Sequence, residues 1–499
     1  MVNTGQPSKA CRTCLERKLK CDESKPVCRK CLKYRRPCRY RDPFEIRIRD
    51  ETQSTVRKAQ GKTRSPDKLR HDGPPEATIL PTLQVPLDEQ AQCFFLANFV
   101  PAWAPESNPG SFNFILPFLR SSKTKDPMVS ACWTAASIAT LAGRPNSRAL
   151  LSRARTHYHL ALAKLNKALA DPIRARGNDC LLSVILLSIY EGFAGGDDVL
   201  VGWKCHMSGA QALIRLRGFK DVVSTPEGID MFLYVRAVMI RHYTFRSSDV
   251  PSANELQWWA GRVGNGEANH AALLMNMKTV LLKAEAAAIF RSGSRTPQSV
   301  ERSLELHRKC KETVANLGSW LKSSPPKWQA AAVHTTDEAL RARTNESVEP
   351  PGGRCHTYSS VWVAAKRVNC SASRILLTGI MIRCLRRIYY PADCTATPDY
   401  TEAVRIGEEE VDNIVAGIPY FFNWTGDSAT TPFSPCGNPT APKGLAGLFC
   451  IWPLTIAASS EFATENKGQY IRRHLLSFSE ATGSKHAELF SRIATRYQA

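Results

Sequence analysis

The sequence predicts a chain of three parts: a small cysteine-rich module, a flexible basic linker and a large all-α domain. Three observations carry this. Six cysteines crowd into residues 11–38. Residues 43–76 are rich in Arg, Lys, Ser, Thr and Asp and poor in apolar residues, with Gly61, Pro66 and Gly73-Pro74-Pro75 as breakers. From about Ile79 onward apolar residues recur at three- and four-residue spacing, the mark of amphipathic helices. The parts are placed at residues 8–42, 43–76 and 77–499.

The cysteines at 11, 14, 21, 28, 31 and 38 read C-x2-C-x6-C-x6-C-x2-C-x6-C, two near-copies of one half. A C-x2-C pair lets one turn of chain aim two thiolates at one metal. The competing reading is a disulfide knot. It needs an oxidising compartment, and Met1–Ala10 is polar, with no secretory signal. One zinc takes four sulfurs, so six serve two ions only if two sulfurs bridge both. Because the repeat is two-fold, equivalent positions should supply the bridges. Cys11 and Cys28 open the two halves and are chosen. Cys14 and Cys21 then complete one site, Cys31 and Cys38 the other. An all-thiolate closed site is structural, and a module this small draws its folding energy from the metal.

The residues between the cysteines are basic. Residues 1–42 hold 13 Lys/Arg against 4 Asp/Glu. A charge run alone is usually a solvated face. On a rigid metal scaffold the same density is the footprint of a phosphate-binding surface.

The spacing, with Lys18-Leu19-Lys20 before the third cysteine and Lys25-Pro26 before the fourth, resembles the fungal Zn2Cys6 binuclear cluster DNA-binding domain over roughly residues 8–42. The resemblance implies two zinc ions per cluster, bridged by the first and fourth cysteines, and a turn between the halves at Pro26. It also implies that the segment Leu15–Lys20 is a short helix entering the major groove, with Lys18 reading the guanines of a CGG triplet through O6 and N7. Arg17 matches a neighbouring base or phosphate contact. Lys20, Lys33 and Arg35 are expected to hold phosphates and set register. Leu15 and Leu19 are expected on the packing side.

Composition bounds the remainder. The 499 residues carry a net charge of +22, and residues 1–75 alone hold 21 Lys/Arg against 9 Asp/Glu, so the nucleic-acid signal is local. Hydrophobic content of 43% suffices for a sizeable core. The eleven cysteines outside the cluster are scattered and read as small buried hydrophobes in a reducing compartment. No apolar run approaches the ~18–20 residues of a membrane span, so no membrane partner is expected. The runs Arg17–Lys20 and Lys33–Arg36 could double as nuclear localisation signals.

Helices are expected at 128–142, 150–170 and 180–193, the last apolar nearly all round. Another carries Trp203, His206, Ala210 and Leu213 on one face and ends at Gly218. Further helices are expected near 229–245, 270–290, 299–322, 357–388, 401–416, 444–459 and 484–497. Cys93–Val100 is a short apolar segment closed by Pro101. No alternating strand series stands out. Asp337–Gly353 and Thr425–Lys443 read as long loops. No sustained coiled-coil heptad lies between 43 and 130, so the chain either does not dimerise or does so through the large domain.

Asp179-Cys180-Leu181-Leu182, Tyr190-Glu191 and Phe193, then Trp203-x2-His206-x2-Gly209-Ala210-x2-Leu213 and Arg217-Gly218, resemble the fungal-specific transcription factor domain of the second type. Cys450-x-Trp452-Pro453-Leu454 is similar to a later signature of that family. The resemblance implies an all-α regulatory region without catalysis. No zinc-protease, nucleophile-elbow or Walker motif is present, and Gly264-x-Gly266 lacks a third glycine. His157 and His159 lie two apart, which on a helix points them different ways. His206 reads as a packed helix histidine before a ligand or base. Glu402, Glu408, Glu409, Glu410 and Asp412 beside Val404, Val411 and Val415 read as the solvated face of an amphipathic helix before an activation surface.

The expected function is a nuclear, zinc-dependent, sequence-specific DNA-binding regulator of RNA polymerase II transcription, and not an enzyme. The partners are double-stranded DNA with CGG-like triplets, the transcription machinery and a second copy of the chain. The alternative is a zinc-containing nuclear scaffold with weak nonspecific DNA affinity.

Overall fold

The computed structural model describes residues 10–38, 40, 85–100, 112–120, 126–143, 148–196, 199–245, 252–261, 263, 267–291, 293, 295–334, 350–422 and 444–496. The expected linker 43–76, the loop 425–443, the Gly264-x-Gly266 segment and most of the loop 337–353 lie outside these residues. The chain divides into two compact units, Met1–Thr82 and Leu83–Ala499.

The first unit holds two five-residue helices, α1 (Arg12–Glu16) and α2 (Arg29–Lys33). The second is built of helices. In chain order these are α3 (Leu87–Phe99), α4 (Ile115–Arg120), α5 (Pro127–Ala142), α6 (Arg148–Leu169), α7 (Asn178–Ala194), α8 (Val199–Arg217), α9 (Phe219–Val222), α10 (Pro226–Phe245), α11 (Ala253–Trp259), α12 (Glu267–Arg291) and α13 (Pro297–Ser323). There follow β1 (Ala331–His334), β2 (Arg354–Thr357), α14 (Val361–Tyr389), α15 (Pro398–Phe421), α16 (Gly444–Ala458), α17 (Glu465–Thr482) and α18 (Lys485–Arg496).

Local chemistry sets the helix starts. Asp126 accepts from the Met128 N–H at 2.7 Å with Pro127 in the first turn of α5. Thr296 and Ser299 cap each other's backbone N–H at the head of α13, again followed by proline. Thr397-Pro398 repeats the device at α15, and Ser360 and Thr464 cap α14 and α17. Gly218 ends α8 with φ 84°, a conformation that costs glycine nothing.

Two sub-bundles share one core. In the first, α5 is buried on almost every side by α3, α6 and α7, and α8 packs on α7. Ring pairs knit it together: Phe95 to Trp133 at 4.9 Å, Phe99 to Phe193 at 5.5 Å and Phe112 to Tyr234 at 5.2 Å. In the second, α14 is the axis, flanked by α12, α13, α15 and α16. The two meet through α10, which touches α7, α8, α12 and α16, and through α18, which packs on α7, α8, α16 and α17. Close approach at α16 needs glycine: a Cβ on Gly447 would fall 1.9 Å from the Phe478 ring.

Several expectations need correction. Strands do occur: β1 pairs antiparallel with β2, Ala331 opposite Thr357 and Val333 opposite Cys355. Four residues are too few to display an alternation, which hid them. The helix α17 was not anticipated either, although Ile471, Leu475, Phe478 and Thr482 form its buried stripe. Cys93–Val100 is the end of a 13-residue helix rather than a short segment. One helix, Val361–Tyr389, is long and apolar enough to cross a membrane by length and composition. In the fold 72% of that window is buried, so it serves as the core helix of the second sub-bundle. Glu410 does not belong to a solvated face. Its side chain is 1% exposed and is paired with the Arg374 guanidinium, while Glu402, Glu408 and Glu409 are exposed. Outside the cluster, eight of the described cysteines are buried, and Cys93 and Cys205 are exposed.

Candidate metal centre and nucleic-acid interface

Each half of the N-terminal module starts as a helix capped by a cysteine. The Cys11 sulfur accepts the Cys14 N–H at 3.4 Å, and the Cys28 sulfur accepts the Cys31 N–H at 3.3 Å. The C-x2-C spacing thus places one sulfur at the cap and the next three residues on, both at the positive end of the turn. The four sulfurs meet face to face. Within a shared group of four, Cys11 to Cys28 is 3.8 Å, Cys11 to Cys31 3.7 Å and Cys14 to Cys28 3.7 Å. A disulfide needs about 2.05 Å. Tetrahedral zinc with Zn–S bonds of about 2.3 Å places its sulfurs about 3.8 Å apart. The observed spacing is that of a metal site.

All six cysteines come together. The sulfurs of Cys11, Cys14, Cys21 and Cys28 lie within 4.8 Å of one another, and so do those of Cys11, Cys28, Cys31 and Cys38. Cys11 and Cys28 belong to both tetrads. Among the described residues these are the groups able to hold a metal; His157 and His159 join none.

The donor set demands positive charge. Burial pushes the Cys11 thiol up and the Cys31 thiol up to about 12. The Cys31 N–H holds the Cys28 thiol below its ordinary value, and the Cys28 N–H, bonded at 3.4 Å, does the same for Cys38. Burial alone disfavours a cluster of thiolates, and divalent ions offset that cost. The Glu23 N–H reaches Cys21 at 3.4 Å. The rest of the module braces this centre. Thr13 donates to the Pro37 carbonyl at 2.7 Å, and the Tyr40 hydroxyl to the Ser24 carbonyl at 2.8 Å. Asp22 accepts from the Ser24 hydroxyl at 2.6 Å and the Arg29 N–H at 3.2 Å, which hold its carboxyl below the usual carboxylate range. The Lys25–Pro26 peptide is cis.

The expected recognition helix over Leu15–Lys20 is corrected: α1 spans Arg12–Glu16. Cys11 starts it early, and two backbone bonds stop it, Lys18 N–H to Leu15 at 3.1 Å and Leu19 N–H to Cys14 at 2.9 Å. Lys18 sits just past the end, in the left-handed region at φ 55°. Arg17, Lys18, Lys20, Lys33 and Arg35 are all exposed, and among the described residues none is in an ion pair. Leu15 is half-buried, and Leu19 is 38% exposed rather than packed.

Residues 9–45 match the model of the fungal Zn(2)-Cys(6) binuclear cluster domain. The N-terminal module is a fungal Zn2Cys6 cluster domain. Such a domain binds two zinc ions, and the six sulfurs here fit them in number, spacing and charge. Residues 93–248 match the fungal specific transcription factor domain, which takes in the Asp179–Gly218 signature; the Cys450–Leu454 signature lies outside the match. A stretch of 54 residues is 39% identical to the depudecin biosynthesis cluster-specific transcription activator DEP6 of Alternaria brassicicola, covering 11% of this chain and 8% of that protein. No solved structure matches.

In the large unit, His206 is a packed histidine in a polar trio. The Tyr158 hydroxyl donates to Glu191 at 2.5 Å and lies 2.9 Å from His206 Nε2. Burial opposes ionisation of Glu191, but the bonds from His206 and Tyr158 outweigh it and hold its carboxyl below the usual range. The Tyr190-Glu191 and His206 signature residues meet here, a contact that no linear spacing announces.

Proposed function

We propose that this chain is a nuclear, zinc-dependent, sequence-specific DNA-binding regulator of RNA polymerase II transcription. The observation that carries it is the pair of sulfur tetrads sharing Cys11 and Cys28 inside a shell of exposed Lys and Arg. Cys11 and Cys28 bridge two zinc ions, Cys14 and Cys21 complete one, and Cys31 and Cys38 the other. The zinc supplies folding energy and no chemistry on the DNA.

Lys18, held just beyond the end of α1, reads a CGG-like triplet in the major groove, with Arg17 beside it. Lys20, Lys33 and Arg35 grip phosphates and fix the approach. One cluster reads too short a word for a genome, so a second copy of the chain completes the site, paired through the helical unit. In this reading residues 8–42 are the reader, 43–76 the linker and 77–499 the regulatory domain that meets the transcription machinery. The relative's printed role as a cluster-specific activator accords with it.

Competition binding tests this. The zinc-loaded chain is offered a labelled CGG duplex against unlabelled CGG and scrambled duplexes at one salt concentration. Preferential displacement by CGG is expected. Equal displacement by both would leave the scaffold reading in its place.

A further inference from the structure

The helix α6 and the turn after it carry charge of almost one sign. Residues 148–176 hold seven Lys/Arg against one Asp, a net +6 in 29 residues. Residues 76–499 together hold 46 Lys/Arg against 36 Asp/Glu, a net +10. More than half of the excess positive charge beyond the cluster and linker therefore lies in one short stretch.

A charge run is ordinarily a solvated face, and other exposed helices here show what that looks like. On α15 Arg405 pairs with Glu402 at 2.8 Å and Glu409 at 3.0 Å, and on α18 Lys485 pairs with Glu488 at 2.9 Å. Each neutralises its own charges one turn away. The helix α6 has no acid with which to do so. Arg153 reaches across to Asp88 of α3 at 2.9 Å, and Arg174 to Asp126 at 2.8 Å. Arg148, Arg155, Lys167 and Arg176 are exposed, and among the described residues none of the four is in an ion pair. Arg155 also meets the Tyr190 hydroxyl. The core helix α14 is as basic, but the fold uses its cations: Arg374 on Glu410, Arg386 on Glu461 and Arg367 on the Leu321 carbonyl.

Helix periodicity sorts the faces of α6. Ala154, Ala161, Leu165 and Ala168 are buried against the core. The opposite ridge is Ser152, Thr156, His159, Ala163 and Asn166, all exposed. At about 100° per residue, Arg148 and Arg155 fall along one edge of that ridge and Lys167 along the other. Arg176 follows in the turn at the C-terminal end. The 22 residues of α6 rise about 33 Å, close to the ~34 Å of one turn of B-DNA. The ridge carries no large apolar side chain, the anchor that a protein partner would need. A phosphate backbone needs only cations and small polar groups.

We propose that the outer face of α6 binds the phosphates of double-stranded DNA, so that the helical unit makes a sequence-independent contact of its own. This rests on DNA being the partner of the cysteine cluster and not on which triplet the cluster reads. Like charges along one helix destabilise it, and duplex phosphates offset that cost.

The test is salt-dependent binding of two CGG duplexes by the full zinc-loaded chain, one of about 12 base pairs and one about three helical turns longer. Combining Arg148→Gln, Lys167→Gln and Arg176→Gln should lower the log–log salt slope on the long duplex by about 2–3 and leave the short duplex unchanged. The control combines Arg302→Gln, Lys322→Gln and Lys327→Gln, which neutralise as many exposed cations elsewhere, and should match the parent. Both variants should keep the far-UV circular dichroism and Tm of the parent. Long-duplex binding by the first variant equal to the parent's would overturn the proposal. So would an equal loss in the control, which would make net charge the cause. Oligoglutamate that binds the parent more tightly than the long duplex, and is lost in the first variant, would assign the face to an acidic protein instead. Scrambling the triplet keeps the two readings apart: it changes short-duplex affinity only if the cluster reads sequence, and leaves the slope difference between the variants in place either way.

Discussion

Lys18 and Arg35 occupy the same place in two copies of one turn. Each follows a five-residue helix that a cysteine starts, and each has a positive φ, 55° for Lys18 and 45° for Arg35. The bonds around them correspond one to one. Lys18 N–H bonds to Leu15 at 3.1 Å and Arg35 N–H to Leu32 at 3.2 Å; Leu19 N–H bonds to Cys14 and Arg36 N–H to Cys31, both at 2.9 Å. This is the two-bond helix stop that ordinarily uses glycine at the left-handed position. Placing a long cation there costs about 1 kcal/mol relative to glycine. Strain of this kind, repeated at two basic residues, points to function.

Stability and recognition should therefore separate at Lys18. Lys18→Gly is expected to make the module more resistant to a chelator and to lose discrimination for CGG duplexes, worth about 1–3 kcal/mol for a base-reading contact. Chelator titration and competition binding measure the two quantities. A gain in both would assign Lys18 a structural role only.

Arg35→Ala should act differently. A phosphate contact carries no sequence information, so binding to all duplexes should weaken together and the log–log salt slope should fall by about 1. A selective loss for CGG duplexes would make Arg35 a base reader.

Metal content should follow the shared edge. Cys28→Ala removes a sulfur common to both tetrads and should cost the module both zinc ions, whereas Cys21→Ala removes an outer ligand of one tetrad. Metal analysis after dialysis reads this out. Chelation should melt the module without changing tryptophan fluorescence, since no tryptophan precedes Trp103.

The sequence was most legible where chemistry is local. The cysteine spacing implies the two sulfur groups because C-x2-C is one capped turn. The starts of α5, α13 and α15 follow from Asp126-Pro127, Thr296-Pro297 and Thr397-Pro398. What was hidden depends on long-range packing. Glu410 sits among exposed acids in sequence, and Arg374 of α14 together with the Asn413 amide, which donates to it at 3.2 Å, holds it inside. The β1–β2 pair is too short to show a period. The termination of α1 at Glu16 is set by the Lys18 and Leu19 backbone, where side-chain type argues for continued helix.

The Arg374–Glu410 pair gives a direct stability test. Glu410→Ala leaves a nearly buried guanidinium without its carboxylate and should cost about 3 kcal/mol in urea unfolding followed by tryptophan fluorescence. The double variant Arg374→Met, Glu410→Leu should recover most of it. No recovery would mean that the pair holds local geometry and does not simply neutralise a charge.

The helical unit should weaken on mild acidification. Burial lowers His486 to about 4, and burial with Arg354 and Arg367 lowers His356 to about 4. Below pH ~6.5 the unfolded chain takes up these protons and the folded chain does not, so stability falls as pH drops from ~6.5 toward 4. Urea midpoints at pH 7 and pH 5 should show the fall, and His486→Gln should flatten it. A pH-independent midpoint would contradict the burial of these rings.

The most direct measurement is selection of DNA from a random pool by the full zinc-loaded chain, run beside the Lys18→Ala variant at the same salt. Enrichment of CGG triplets by the parent and its loss in the variant, with zinc content equal, is the predicted result. No enriched sequence, or the same enrichment from both proteins, would contradict the assignment of this module as a reader of DNA sequence through Lys18.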